Sequence, residues 1–231
     1  MKQELTPSNN GGLSMKEYVI DAKDMAEKEL NRTIKEQAAH HDKLIIDNPE
    51  SRHNICAGLI EDVDIEINGS AGYFVGTMVN GPRIHINGNA GWFAGDNMTE
   101  GELIIEGTAG DGAGQGIYGG TVIVKGNTGS RTGEIMKGGT VIIGGNSGFM
   151  TGLLMMGGKL IILGDVTDDV GESIMRGSIF VLGDVKSLGK NAAMEKITPE
   201  DQSELKEILT KYGFELSDSD YTNFKKIVNI Q

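Results

Sequence analysis

Between residues 58 and 189 the apolar positions recur every 19 residues. One column runs Ile65, Ile84, Leu103, Val122, Val141, Leu160, Ile179. A second, two places on, runs Ile67, Ile86, Ile105, Val124, Ile143, Ile162, Val181. Both are rich in β-branched residues, and a spacing of two puts them on one face of a strand. A 19-residue unit is too short for a helix–strand repeat, and no 3.6-residue pattern lies within it. Fixed-period self-similarity of this kind marks a solenoid. The predicted fold is mostly β: a right-handed, single-stranded parallel β-helix of about seven 19-residue coils. At about 4.8 Å per coil the rod is on the order of 34 Å long.

Glycine follows the same period. The columns are Gly69 to Gly183 without a break, Gly72 to Gly148, Gly76 to Gly171, and Gly101 to Gly177 with Pro82 in the first coil. Of 35 glycines, 32 lie between Gly58 and Gly189, so they belong to the repeat. They are expected at corners, where φ is positive or the inner space is tight. The small column Ala71, Ala90, Ala109, Thr128, Ser147, Val166 fits a crowded corner. The column Val79, Met98, Ile117, Met136, Met155, Ile174 is expected inside, with methionine as core filler.

Four segments follow. Residues 1–13 are polar and read as a loose tail. Residues 14–57 read as a small α/β cap with strands at Tyr18 to Ile20 and Leu44 to Ile46. Between them a helix is expected to start at an Asp24–Glu27 capping box and run to about His40, with Met25, Leu30, Ile34 and Ala38 on one face. Residues 58–189 are the β-helix. Residues 190–231 are a helical tail, with Thr198 as N-cap, Pro199 at N1, an apolar stripe Leu205, Ile208, Leu209, Tyr212, and Gly213 as stop.

Composition narrows the chemistry. The single cysteine, Cys56, cannot form an internal disulfide, and this chain alone cannot build an iron–sulfur cluster or a Cys-rich zinc site. The net charge is −12, and residues 58–189 carry 15 acids against 7 bases. That balance argues against nucleic acid, which needs clustered Lys and Arg. No run of 18 apolar residues is present, and the N-terminus lacks an apolar h-region, so no membrane association and a cytoplasmic location are expected. Gly114 to Gly119 match G-x-G-x-x-G literally, but the stretch lies inside the 19-residue period and opens no helix. His40 and His41 suit a helix C-terminus. His53 and Cys56 are close enough in sequence for a thiolate–imidazole pair, though no third group is evident; the alternative is a buried small hydrophobe. No catalytic, cofactor-binding or metal-ligating residue is assigned.

The informative anomaly is the strand position between the two inner columns. It reads Glu66, His85, Ile104, Ile123, Ile142, Ile161, Phe180. Five outward apolar side chains in a row require a cover. We expect Ile104, Ile123, Ile142, Ile161 and Phe180 to form an interface, covered in part by a partner subunit or a second copy. The rival cover is the chain's own stripe Leu205, Ile208, Leu209, Tyr212.

The Gly-columned β-helix resembles the GXGXG domain that closes the large subunit of glutamate synthase; a similar β-helix occurs in a subunit of formylmethanofuran dehydrogenase. The lead-in Arg52-His53-Asn54-Ile55-Cys56-Ala57-Gly58-Leu59 resembles that of stand-alone glutamate-synthase-like subunits. Ser187-Leu188-Gly189, the following helix and Tyr212-Gly213-Phe214 resemble the β-helix subunit of N-methylglutamate synthase. The resemblance implies a non-catalytic scaffold. Glutamine hydrolysis would fall to a class II amidotransferase subunit, and 2-oxoglutarate chemistry to a partner carrying FMN and an iron–sulfur cluster. A homo-oligomer is compatible with this. No catalytic residue is carried over, because the motifs that hold them are not in this chain.

Overall fold

The computed structural model describes residues 15–230; the expected tail at 1–13 lies outside them. The elements are β1 (Glu17–Asp21), α1 (Glu27–Ala38), β2 (Lys43–Asp47), β3 (Asp64–Asn68), β4 (Asn80–Ile86), β5 (Glu100–Ile105), β6 (Thr121–Val124), β7 (Thr140–Ile143), β8 (Met156–Ile162), β9 (Arg176–Val181), β10 (Ala192–Glu195), α2 (Pro199–Lys211), α3 (Asp218–Asn223) and β11 (Lys225–Asn229).

The 19-residue period becomes the register of one sheet. Ile65 stands beside Ile84, Ile84 beside Leu103, and so on to Leu160 beside Ile179, every pair parallel. Both inner columns are buried, as is the column Val79, Met98, Ile117, Met136, Met155, Ile174. The β3–β9 core is the expected parallel β-solenoid of about seven turns.

The sheet also runs past both ends of the visible repeat. On one side β2 pairs parallel with β3, and β1 with β2, so the cap continues the same ladder. Leu44 and Ile46 extend the inner columns, and α1 closes that end with Leu30, Ile34 and Ala38. The expected 57/58 boundary falls inside one corner, whose residues Asn54, Cys56 and Gly58 all have positive φ; the step from these to their equivalents Phe74, Gly76 and Met78 is 20 residues rather than 19. On the other side β11 pairs antiparallel with β9, and β10 with β11. The tail is therefore not purely helical.

The expected capping box at Asp24 does not form. Asp24 has φ +60°, Ala26 is the N-cap, and the helix ends at Ala38. The Glu27 carboxylate instead accepts from the backbone N–H of His53 at 3.3 Å and from Asn54 Nδ2 at 3.4 Å. It anchors the first corner rather than its own helix.

The corners explain the glycines in two ways. In Gly76 to Gly171 every member has φ between +66° and +76°, a region costly for a side chain. These glycines sit in a run of alternating handedness. Phe74, Gly76 and Met78 all have positive φ, as do Gly112, Gly114 and Gly116. The alternation turns successive N–H groups along the solenoid axis. Phe74 and Met78 donate forward to Trp92 O and Asp96 O, and Gly76 donates back to Ile55 O. The column Gly88 to Gly183 is different: φ there is ordinary, but an added Cβ at Gly164 would lie 2.6 Å from the Gly145 backbone. That column lets coils approach closely.

Candidate functional site

Within the described residues the outward ladder is covered by the chain itself. Ile123, Ile142 and Ile161 are fully buried and Phe180 is 2% exposed, while Ile104 is half-buried at the rim. They form one cluster with Leu205 and Leu209 of α2, Tyr221 of α3 and Phe224. The expectation of a partner-facing interface at these five residues is thus corrected in favour of the internal cover. The reason is supply: the tail brings the predicted stripe and also Phe214, Leu216, Tyr221 and Phe224 to the same face.

The start of α2 is specified locally. Asp201 N–H donates to Thr198 Oγ1 at 3.2 Å, and Thr198 N–H donates to Asp201 Oδ2 at 2.9 Å. Gly213, at φ +71°, ends it. Three ion pairs give its direction. Asp201 meets Lys226 of β11 at 3.1 Å, Glu204 meets Lys159 of β8 at 2.7 Å, and Lys211 meets Glu102 of β5 at 2.7 Å. The helix therefore lies along the stacking axis, its C-terminus aimed at the early coils.

That C-terminus is clasped. One oxygen of Glu102 accepts from Lys211 Nζ and from Tyr212 Oη, each at 2.7 Å; the other accepts from Arg83 Nε at 3.1 Å. Burial pushes the Glu102 carboxyl up, but the hydrogen bonds from Lys211 and Tyr212 outweigh it and hold it below the usual carboxylate range. Lys125 donates to Tyr212 O and sits 4.0 Å from the Phe214 ring centroid. Phe214 needs Gly144 beneath it, since a Cβ there would lie 2.9 Å from the ring. At the other end Lys226 is held between Glu195 and Asp201.

Beyond Ile104 the same face is open. The outward side chains of β1 to β4 are Glu17, Val19, Asp21; Lys43, Ile45, Asp47; Asp64, Glu66, Asn68; and Arg83 and His85, with Asn87 just past β4 donating to Glu66 and Asn68. Lys43 pairs with Glu66 at 2.7 Å and Arg83 with Asp64 at 3.4 Å. Asn48 and Asn68 donate to Asp21 and Asp47. His85 points outward as expected and contacts Glu106 at 2.7 Å.

The Cys56–His53 pair does not assemble. Cys56 is buried, and burial pushes its thiol up to about 12, so it is not a ready thiolate. It takes the corner position that later coils give to glycine. His53 Nδ1 accepts from Tyr73 N–H at 2.9 Å, and its ring opens a stack with Tyr73 and Trp92 at centroid spacings of 4.5 and 5.0 Å. The G-x-G-x-x-G match is a corner: Gly114 N–H donates to Ala94 O and Gly116 N–H to Glu134 O, so neither is aimed at a ligand. An open groove of about 750 Å³ beside β9, β11 and β10 includes Arg176, Met194, Glu195 and Lys226, but no histidine or cysteine. Among the described residues no three His, Cys, Asp or Glu side chains converge as a metal site, and no helix is long and apolar enough to cross a membrane.

The sequence reading missed β10, α3 and β11. The signals available were the Ser217–Asp220 capping box for α3 and the β-branched pair Ile227-Val228 for β11.

The corner at Gly112-Ala113-Gly114-Gln115-Gly116 spells glycine at alternate positions, and a family model described as GXGXG motif matches residues 50–228. No curated protein matches the chain.

Proposed function

The chain belongs to the GXGXG motif family, that of the C-terminal domain of the glutamate synthase large subunit, and on that premise we propose that it is a non-catalytic scaffold subunit of a glutamate-synthase-type complex. The observation that carries the reading is the family match running from ahead of β3 through β9 and into β11, so that the closing tail is part of the matched unit. A solenoid capped at one end by α1 and covered along one face by α2 can hold other subunits at fixed separation. Its partners would be a class II glutamine amidotransferase subunit and an FMN-binding, glutamate-synthase-like subunit. The cofactors belong on that partner: an iron–sulfur cluster takes four thiolates, and this chain offers one buried thiol. The flanks Ser187-Leu188-Gly189 and Tyr212-Gly213-Phe214 favour N-methylglutamate as the product. The second reading, the β-helix subunit of a formylmethanofuran dehydrogenase, shares the solenoid and is disfavoured by the α1 cap and the α2 cover.

Affinity purification of the native protein with identification of co-purifying subunits tests this. Amidotransferase and FMN-barrel subunits are the expected companions; formylmethanofuran dehydrogenase subunits would select the second reading. A visible absorption spectrum of the purified chain is expected to show no flavin band, and stoichiometric FMN in the chain alone would refute the scaffold assignment.

A further inference from the structure

Within the described residues asparagine precedes glycine at Asn68-Gly69, Asn80-Gly81 and Asn87-Gly88. Such a pair can modify itself, because no Cβ hinders the glycine nitrogen from reaching the side-chain carbonyl carbon. That nitrogen bonds to Cγ, and its proton leaves with the amide group as ammonia. The cyclic imide then takes up one water and opens at either carbonyl. One product is aspartate; the other is isoaspartate, in which the main chain runs through the former side chain. Water is the only co-reactant. The three pairs share this chemistry and differ in what holds them. We infer that Asn80-Gly81 is the self-modifying, deamidating site of this chain, and that the fold protects the other two.

Asn68 and Asn87 belong to a ladder of side-chain hydrogen bonds. Asn68 Nδ2 donates to Asp47 Oδ1 at 2.8 Å, and Asn87 Nδ2 donates to Asn68 Oδ1 and to Glu66 Oε1, each at 3.0 Å. At the first pair the nucleophile is engaged as well, since Gly69 N–H donates to Ile67 O at 3.0 Å. Either amide can turn toward the backbone only after these bonds break. Asn80 is exposed, and among the described residues no hydrogen bond holds its side chain. Its neighbour sits at a break in the sheet. β4 pairs with β3 only from Arg83 onward, and its register with β5 shifts between Asn80 and Arg83. Gly81 therefore belongs to neither run of pairs, and its φ is +119°. Asn80 N–H is anchored on Leu59 O at 2.9 Å, so the residue is fixed on one side and its glycine is unpaired on the other.

The product matters because of what stands beside it. Asn80 is the ladder partner of Glu100, and the adjoining hollow is bordered by Asp62, Asp64, Glu100 and Glu102. The one base there, Arg83, is already engaged by Asp64 and Glu102. A new carboxylate at position 80 adds to like charge, and isoaspartate also lengthens the main chain at the break. Conversion therefore loosens the start of β4.

The test holds the full chain in mildly alkaline buffer, folded in one arm and in concentrated urea in the other. Peptide mapping by mass spectrometry follows each pair, and enzymatic methylation of the isoaspartate carboxyl counts that product. A hydrogen bond that must break first slows the reaction by about tenfold. In the folded chain Asn80 is expected to convert about tenfold or more ahead of Asn68 and Asn87, and in urea the three rates should converge. Asn80→Gln, whose longer side chain must close a larger ring, should remove the folded-state signal. Asn80→Asp, which installs the charge of the product, should speed amide exchange at the start of β4 and leave β6 unchanged. Asn68 or Asn87 converting as fast as Asn80 in the folded chain, the same ranking in urea, or Asn80 intact in the folded chain while urea consumes it overturns the inference. Unchanged exchange in Asn80→Asp overturns the loosening of β4. None of these outcomes depends on which subunits co-purify.

Discussion

The two halves of the outward sheet face share a backbone and differ in fate. In β6 to β9 the central position is Ile123, Ile142, Ile161 and Phe180, and the chain's own tail seals it. In β1 to β4 the same position is Val19, Ile45, Glu66 and His85, and it stays open. The inner faces of β2 to β4 and of β6 to β9 are alike: aliphatic, buried and in the same register. The coils therefore stack on the same inner columns and corner glycines in both halves. The outer column decides what lies against it, and β5, with Ile104 between Glu102 and Glu106, is the border.

The largest expected contrast comes from putting a charge at equivalent positions. Ile123→Asp removes a fully buried side chain and leaves a carboxylate without a partner beneath α2, which should cost roughly 3–5 kcal/mol in chemical denaturation. Ile45→Asp, in the open half, should cost under about 1 kcal/mol. Equal losses at the two sites would mean that the halves are not distinguished by cover.

The corners should show no such contrast. Gly95 and Gly133 lie in different halves, with φ +72° and +68°. A Cβ at Gly95 would meet Val122 Cγ2 at 2.7 Å, and one at Gly133 would meet Met136 Sδ at 2.8 Å. Valine at either site should destabilise by about 1–3 kcal/mol. A loss confined to one variant would show that the inner architecture changes along the rod.

How far this was legible in the sequence depends on repetition. The inner columns, the glycine columns and the Thr198 to Gly213 helix were readable because each signal is long or repeated. The glycine columns did not reveal which of their two causes applied, since positive φ and close approach both ask for the same residue. The Asp24 capping box failed because Glu27 had a better use at the Asn54 corner. The short β10, α3 and β11, of four to six residues each, carry too few positions for a period to show. The outward ladder was visible as an anomaly, but a one-dimensional pattern cannot say which of two apolar surfaces will meet it.

A smaller effect is expected at the border, through pH. The Glu102 carboxyl lies below its ordinary value in the folded chain because it accepts from Lys211 and Tyr212 against the opposing push of burial. A depressed carboxyl contributes stability that is complete above its unfolded pKa, about 4.3, and is lost as pH falls through the lower folded value. Asp201, raised by burial but lowered on balance by Thr198 and Lys226, acts in the same direction at the other end of α2. Hydrogen exchange of the α2 amides should therefore accelerate below about pH 4 before the inner strands respond. Glu102→Gln should remove part of that acid sensitivity and cost about 1 kcal/mol at neutral pH. If the inner strands open together with α2, the cover is not a separate unit.

The smallest expected effect is the counterpart of that substitution in the open half. Glu66 also accepts from a lysine at 2.7 Å, and its carboxyl is lowered chiefly by Lys43. The difference lies in what the pair fastens. Glu102 ties the end of a helix to the sheet across 109 residues of chain. Glu66 and Lys43 belong to adjacent strands already joined by a parallel ladder. Both side chains are about 30% exposed, so solvent screens their attraction, and fixing them costs side-chain entropy. Glu66→Gln should change stability by about 0.5 kcal/mol or less. Thermal denaturation at low and high salt checks this: the Glu66 effect should vanish at high salt, while part of the Glu102 effect persists through Tyr212 Oη. A large, salt-resistant loss at Glu66 would show that the open face has structural work of its own.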